Sequence, residues 1–289
     1  MAWREVVYEY DGTFAGLMCC IYTSYTQKEL PTAIFRSGEL EPCLYEVHAV
    51  QTDAAHARRV YEGFRRFSPE TGPFLRRAYH TCLPEKELAI YRFAARLYGE
   101  GASLLLRLTD DAYQPLLRAV RRLNHELEQY RGFVRFSDID GILTAEIEPQ
   151  NDVLPFLRGH FCQRCRNETF FLYDRTHKKA LFYTDGRAAI LPLDAFDMAP
   201  PDESECGYRR LWRCFYNTIA IRERENPSLR QTQMPKRFWP LLTEFQAEPD
   251  ATPPLPSPRG GSGAPAVPGA TPVPAIPAAP APSAPASVL

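Results

Sequence analysis

The stretch GFVRFSDIDGILTAEIEP, residues 132–149, marks the point at which the spacing of apolar residues changes from 3.6 to two. Before it, apolar residues recur at helical intervals; within it, they alternate with polar ones. Asp140-Gly141 is a strong signal for a tight turn between two strands. We therefore predict a hairpin with strands over 133–136 and 143–147 and a turn over 138–141.

The residues after this hairpin predict one helix and further strands. Pro149 and Asp152 are typical of a helix start, and Leu154, Leu157 and Phe161 follow at helical spacing. Apolar runs over 170–173 and 180–183 flank a polar turn, and 186–191 is a candidate edge strand. The resulting β-β-α-β-β order predicts a twisted antiparallel sheet with the helix on one face.

The half of the chain before residue 132 is predicted to be mainly helical. A short strand over 6–10 ends at Asp11-Gly12, and a second is expected over 44–47, after a loop that contains Pro31. Five helices are predicted, over 13–27 and 56–67 and beginning near residues 69, 84 and 110. With further helices at the C-terminal end, the predicted class is α+β.

The composition changes abruptly at Ala247. Thirteen of the 27 prolines lie between that residue and the end of the chain, among Ala, Ser and Gly and without any aromatic residue. Such a segment cannot bury enough apolar surface to offset the entropy of ordering it. We predict a single α+β domain over 1–246 and a disordered Pro/Ala-rich tail over 247–289, which serves as a terminus, a linker or a spacer to a partner.

The sequence does not indicate a secreted protein or a membrane protein. The start of the chain lacks the basic and then apolar pattern of a secretory signal, and no run approaches the roughly 18 apolar residues of a membrane helix. The eight cysteines have no regular framework and are expected to be reduced thiols. We therefore expect a cytoplasmic protein without a membrane partner.

No cofactor or metal is predicted. The one metal-like spacing is His160-x-Cys162-x-x-Cys165, and no second pair of ligands completes the four that zinc requires. The three-cysteine spacing of an iron–sulfur enzyme, the phosphate-binding Gly-rich loops and the H-E-x-x-H motif are also missing. Whether the chain is an enzyme is left open by its motifs.

Basic residues are concentrated near the C-terminal end of the predicted domain. Between Ser204 and Arg237, eight Lys and Arg residues stand against three Glu, so the local charge is +5, whereas the whole chain carries −1. A cationic face on a near-neutral protein predicts a polyanionic partner, most commonly nucleic acid. The candidate nucleic-acid-binding residues are Arg135, Arg213, Arg222, Arg224, Asn226, Lys236 and Arg237.

The helix in this basic region carries an apolar stripe of its own. Trp212, Phe215, Tyr216 and Ile219 recur at i, i+3, i+4 and i+7, which predicts that the stripe faces the core. After the helix, Arg222 and Arg224 can contact phosphate oxygens bidentately. The alternative for these arginines is an internal ion pair with Glu223, Glu225 or Glu244.

The carboxylates that could do acid or base chemistry are Asp11, Asp138, Asp140, Asp174 and Glu126, and we choose Asp174 and Asp11 as the catalytic candidates. Asp174 ends an apolar strand, where a sheet presents polar side chains, and Asp11 follows the first strand. The alternative for Asp174 is a turn-forming residue. His160 or His48 is a candidate base, although a lone histidine such as His160 is more often structural.

Several segments together resemble a bacterial family that is assigned to DNA repair or DNA metabolism and whose activity is unknown. They are YDGTFAGL, GFVRF, AEIEP, LPFLRGHF, FFLYDRTHKKALFY, LWRCFYNTIAIRERENP and MPKRFWPLLTE, between about residues 8 and 244. Members of that family are typically encoded beside a radical SAM protein, and some are fused to a uracil-DNA glycosylase domain.

The resemblance implies a DNA-binding protein of DNA repair or DNA metabolism that acts with a radical SAM partner. One alternative is a metal-independent DNA hydrolase or glycosylase-like repair enzyme that uses Asp174 or Asp11. A protein-interaction scaffold is the other. Cys165 departs from the family pattern. The Pro/Ala-rich tail has no counterpart in that family, and the glycosylase domain of the fused members does not occur in this sequence.

Overall fold

The computed structural model describes residues 3–39, 44–221 and 225–246, which belong to one compact unit spanning Met1–Gln246. The fold is mixed α/β, with two separate sheets. The Pro/Ala-rich tail lies outside the described residues. No helix within the described ranges is long and apolar enough to cross a membrane.

The first sheet has three parallel strands in the order β2-β1-β3. They are β1 (Arg4–Tyr10), β2 (Glu29–Arg36) and β3 (Val47–Ala49), and helix α1 (Phe14–Gln27) connects β1 to β2. The Thr13 hydroxyl accepts the backbone N–H of Gly16 and caps α1. Pro31, predicted in a loop, lies in β2, because an edge strand tolerates a residue without an N–H donor.

Four helices follow the first sheet. They are α2 (Ala54–Gly63), α3 (Thr71–Tyr79), α4 (Lys86–Glu100) and α5 (Gln114–Phe133). Each corresponds to a predicted helix with shifted boundaries. Because α5 extends to Phe133, the first predicted hairpin strand, over 133–136, is wrong; that strand begins at Ser137.

The second sheet has five strands in the order β4-β5-β6-β7-β8. They are β4 (Ser137–Ile139), β5 (Ile142–Ile147), β6 (Phe170–Asp174), β7 (Lys179–Thr184) and β8 (Arg187–Pro192). The predicted turn is confirmed, with positive φ at both Asp140 and Gly141. However, β5 and β6 are parallel, because helix α6 (Leu154–Arg164) connects them as a crossover. The prediction of an all-antiparallel sheet is wrong.

Helix α5 contributes to two hydrophobic cores. Its Leu116 and Val120 pack with the first sheet and helices α1–α4, whereas Leu123 and Leu127 pack with the second sheet and α6. The two cores are therefore built on opposite ends of one helix. The space beside α3 and α4, where strands of both sheets end, is where polar side chains converge.

The C-terminal part contains helices α7 (Glu203–Ile219) and α8 (Pro227–Gln233). The predicted core-facing stripe on α7 is wrong: the exposed fractions of Trp212, Phe215 and Ile219 are 39%, 51% and 58%. Glu205 is the buried residue of this helix. The second core is closed instead by Phe238, which is fully buried and lies beyond α8.

Candidate functional site

A cleft of about 550 Å³ opens where strands of both sheets end. Gly12 follows β1, Arg36 ends β2, Asp152 follows β5 and His177 follows β6. Within each parallel pair, the carboxyl ends lie at the same edge of the sheet, and open α/β sheets bind ligands outside such edges. The cleft therefore occupies the position in which a ligand site is expected.

The loop that carries Asp152 is fixed by a buried carboxylate on α5. Glu126 accepts hydrogen bonds from the backbone N–H groups of Gln150 and Asn151, both at 2.9 Å, and from the Asn151 side chain at 2.7 Å. The Asn151 carbonyl oxygen accepts the backbone N–H of Cys82 at 3.0 Å. These bonds attach the loop after β5 to the segment between α3 and α4.

Two histidine–aspartate pairs lie side by side at the cleft. His80 Nδ1 is 3.0 Å from Asp152 Oδ2, and His177 Nδ1 is 2.8 Å from Asp174 Oδ2. An ionised carboxylate only accepts hydrogen bonds, so each imidazole donates through Nδ1 and leaves Nε2 for a ligand. The ligating atoms of Asp152, Asp174 and His177 all lie within 4.8 Å of one another.

Asp174, a predicted catalytic residue, is completely buried behind His177. Its Oδ1 accepts the backbone N–H of His177 at 3.1 Å, and its Oδ2 accepts the imidazole of the same residue. Asp174 therefore forms the turn after β6 and also orients a side chain that lines the cleft. The turn-forming role considered for Asp174 from the sequence is confirmed, and a catalytic role for it stays a prediction.

Asp152 is shared between a histidine and a lysine. Lys179 Nζ lies 2.7 Å from the same Oδ2 that accepts His80. Burial opposes ionisation of Asp152, but the hydrogen bonds from His80 and Lys179 outweigh it and hold the pKa of the carboxyl well below its usual range. Asp152 Oδ1 is buried and has no hydrogen-bond partner among the described residues.

Cationic side chains outnumber carboxylates among the residues that line the cleft. Arg36, Arg76, Lys86 and Lys179 line it against the single carboxylate of Asp152, so four cations less one anion leave +3. Arg36 is paired with Glu87 at 3.3 Å. Lys86 donates to the carbonyl of Thr81 at 2.9 Å and has no carboxylate partner among the described residues. Burial lowers the pKa of Lys86, because the charged ammonium group loses water that its neighbours only partly replace.

Within the described residues, Asp152, Asp174 and His177 are the group whose spacing could hold a metal ion. Both oxygens of Asp174 already accept hydrogen bonds from His177, and Lys179 already neutralises Asp152, so we do not assign a metal site to this group. His160, Cys162 and Cys165 do not form such a group in the described structure. Cys162 and Cys165 pack against the second core.

An open groove continues from the cleft along α2. The groove consists of two depressions. The first, of about 430 Å³, shares Phe14 and Arg76 with the cleft, and the second, of about 700 Å³, shares Arg58 with the first. We call this surface the arginine groove. Its basic residues are Arg58, Arg59, Arg65, Arg66 and Arg76.

Most of the predicted C-terminal nucleic-acid-binding residues are occupied by internal contacts. Arg135 pairs with Glu244 at 3.1 Å and lies over the Trp212 ring, and Arg213 Nε donates to the carbonyl of Thr243 at 3.2 Å. Glu244, one of the partners considered for Arg222 and Arg224, is thus paired with Arg135. Arg222 and Arg224 themselves lie outside the described residues.

The remaining predicted residues of this face have mixed positions. The Asn226 side chain accepts the backbone N–H of Leu229 at 2.9 Å and caps α8. Arg237 donates to Gln129 at 3.0 Å and lies 3.7 Å from Glu126. Lys236 is exposed beside Trp239. The structure therefore brings Arg237, but not the whole predicted face, close to Glu126, the carboxylate that holds the Asp152 loop.

Asp11, the second predicted catalytic residue, connects the turn after β1 to the segment after β3. Its carboxylate accepts the N–H and hydroxyl of Thr13 at 2.9 and 2.8 Å and the hydroxyl of Thr52 at 2.8 Å. Burial opposes ionisation, but these hydrogen bonds lower the pKa of Asp11. A Cβ atom on Gly16 would lie 2.2 Å from Asp11 Oδ1, so this close approach requires glycine at position 16.

Sequence reasoning missed His80, Lys86, His177, Lys179 and the arginine groove. For the groove a signal was present: residues 57–77 contain six Arg and two Glu. For the cleft no local pattern exists, because its residues come from separate segments spread between positions 12 and 179. Only the fold brings them together.

The fold and the site define an α/β protein with a cationic cleft at the carboxyl ends of parallel strands. Residues 84–244 match a family model described as a domain of unknown function, DUF4130. This match covers more than half of the chain, which therefore belongs to that family. It includes Lys86, Asp152, Asp174, His177 and Lys179. No curated protein and no solved structure matches the chain.

Proposed function

We propose that this protein binds nucleic acid and that the cleft, with the arginine groove, holds its phosphodiester backbone. The observation that carries the proposal is Lys86: a partly buried ammonium group without a carboxylate partner among the described residues, in a cleft with a charge of +3. A phosphate oxygen in the cleft would compensate this charge and offset its desolvation.

The continuity of the groove favours a chain of phosphates over a single phosphate group. Arg58 and Arg76 each belong to two adjoining depressions, so the basic side chains form one path into the cleft. Phe14 and Tyr61 line that path, with ring centroids 6.1 Å apart in an edge-to-face arrangement. Alternating cations and aromatic rings suit a single strand, whose bases stack while its phosphates meet the arginines.

This proposal moves the binding surface away from the C-terminal basic residues. Arg135 and Arg213 are held by partners of their own, and Asn226 is a helix cap. Within the described residues, Arg76 is exposed and makes no ion pair. A phosphate gains more from an unpaired arginine, because no existing pair has to be broken.

The resemblance to the DNA repair and DNA metabolism family supplies the biological setting of the proposal. We infer that the nucleic acid is DNA and that the protein acts with a radical SAM partner. Co-purification of a radical SAM protein with the tagged full-length chain from its native host would support the partner, and its absence from such preparations would argue against it.

Charge-reversal variants test the proposed surface. Fluorescence anisotropy with a labelled single-stranded DNA oligonucleotide at low salt should give binding by the full-length protein, and Arg76→Glu should weaken it at least tenfold. Arg187→Glu on the edge strand β8 is the matched control, since Arg187 is exposed and does not line the cleft or the groove. Failure of the unaltered protein to bind would contradict the proposal.

A second variant separates the two candidate surfaces. Arg213→Glu changes the charge of the C-terminal face and leaves the cleft intact. If it weakens binding more than Arg76→Glu does, the C-terminal face is the binding surface and the cleft is not.

A further inference from the structure

We propose that His177 and His80 are catalytic residues that hydrolyse a phosphodiester bond of the nucleic acid held in the cleft. This inference rests on the proposed function. It goes further, because it assigns a reaction to the site and a separate role to each histidine. The carboxylate partners, Asp174 and Asp152, are positioning residues.

The first support is the arrangement of the two pairs. Each imidazole lines the cleft and is bound through Nδ1 to a carboxylate, at 2.8 Å for His177 and 3.0 Å for His80. Neither Nε2 atom has a hydrogen-bond partner among the described residues. Two oriented imidazoles at one cleft can remove a proton on one side of a reacting phosphorus and supply a proton on the other.

The second support is the charge around the pairs. Lys179 Nζ lies 2.7 Å from Asp152, and Lys86, Arg36 and Arg76 line the same cleft. Charge on the non-bridging phosphate oxygens increases when a nucleophile adds. Cations that are already in place stabilise that state without reorganisation. Tyr79, whose hydroxyl donates to the carbonyl of Gly12, lines the cleft between these groups.

The carboxylate partners distinguish the roles of the two histidines. Both oxygens of the fully buried Asp174 bind His177, so this carboxylate serves one imidazole alone and orients it completely. We assign His177 as the base that activates water. Asp152 is shared between His80 and Lys179, so His80 lies next to a fixed cation. Because His177 takes the role of the base, we assign the second imidazole of the cleft, His80, to protonate the leaving oxygen.

The reaction is a hydrolysis without a redox step. The water oxygen forms a bond to phosphorus while the bond from phosphorus to the leaving oxygen breaks. His177 Nε2 takes one proton from the water, and His80 Nε2 gives one proton to the leaving oxygen. The products are a phosphomonoester and an alcohol, and the two imidazoles then exchange protons with solvent.

The leaving group distinguishes the two histidines experimentally. The full-length protein is assayed in EDTA with single-stranded DNA and RNA oligonucleotides of one sequence and with bis(4-nitrophenyl) phosphate. The nitrophenolate leaves without a proton, whereas a sugar oxygen needs one. We expect His177→Gln to lower kcat at least about 10²-fold on every substrate. His80→Gln should do so on the oligonucleotide that the protein cleaves and change nitrophenol release less than threefold.

Controls separate catalysis from folding. His125→Gln, an exposed histidine of α5 that does not line the cleft, should retain full activity. Asp174→Asn should lower kcat with KM unchanged, as expected of a positioning residue. Thermal unfolding and oligonucleotide binding of each variant show whether the fold and the binding site are intact.

Four results would overturn the inference. Binding of oligonucleotides without cleavage of any substrate would refute the catalytic roles and leave the proposed function standing. Cleavage that EDTA abolishes and a divalent ion restores would replace acid–base catalysis by a metal mechanism. Equal losses for His80→Gln on nitrophenyl and oligonucleotide substrates would refute its role as the acid. Absence of oligonucleotide binding by the unaltered protein would remove the proposed function as well.

Discussion

Asp152 is the residue at which the electrostatics of the cleft are most clearly resolved. Its carboxylate accepts from His80 and from Lys179, and its pKa lies well below the usual range although it is largely buried. A lowered pKa in the folded state means that the ionised form stabilises the fold. This contribution is complete above about pH 4 and is lost as the pH falls towards the folded-state pKa.

The difference in stability between the unaltered protein and an Asp152→Asn variant should therefore depend on pH. We expect the variant to be less stable than the unaltered protein at pH 7, and the difference in free energy of unfolding to be about 1 kcal/mol smaller at pH 3. Urea unfolding at both pH values measures this difference. Asp197→Asn, at an exposed position, should show no such change. A difference that is the same at both pH values would contradict the assigned environment of Asp152.

Some of the residues predicted from the sequence lie at the cleft, and others lie elsewhere in the structure. Asp174 was predicted because it ends an apolar strand, a local pattern that survives folding. His177, three residues later, carries no such pattern, and its meaning depends on the buried carboxylate behind it. Asn226 was predicted to contact nucleic acid, yet a short polar side chain before Pro227 is also a typical helix cap.

Among the elements, α7 departs most from what its sequence predicts. Its aromatic stripe has helical spacing, but Phe215 and Ile219 remain more than half exposed. Trp212 donates from its indole to Glu244 at 3.0 Å and meets Arg135 across its ring. Periodicity shows which side chains share a helix face, but it does not show whether another element covers that face.

Substitutions on two helices test this difference. Ile219→Ser on α7 should change the free energy of unfolding by less than about 0.5 kcal/mol, because the side chain is exposed. Phe161→Ala on α6 should cost about 3–5 kcal/mol, because Phe161 is fully buried in the second core. Chemical denaturation compares both with the unaltered protein. A large loss for Ile219→Ser would show that the stripe is buried in solution.

Element order was easier to predict than strand pairing. The Asp140-Gly141 turn determines the β4–β5 hairpin locally, and both strands around the 174–179 turn were also recognised. The parallel pairing of β5 with β6 depends on how α6 crosses the sheet, which alternation along one strand does not encode. The first parallel sheet was missed in part because Pro31 interrupts the pattern of its edge strand.

At the scale of the whole molecule, α5 connects two cores, and the cleft lies where strands of both sheets end. Arg36 comes from the first sheet, Lys86 from α4, His177 from the turn after β6 and Lys179 from β7. This assembly explains why a chain with a net charge of −1 contains a cleft with a charge of +3. The charge balance of the chain gives no information about such a local concentration.

The salt dependence of single-stranded DNA binding tests the role of the cleft most directly. If Lys86 meets a phosphate, Lys86→Gln should weaken binding and reduce the slope of log K against log salt by about 0.7. Arg187→Gln should leave both quantities unchanged. An unaltered slope in Lys86→Gln, with DNA still bound, would show that the nucleic acid does not enter the cleft.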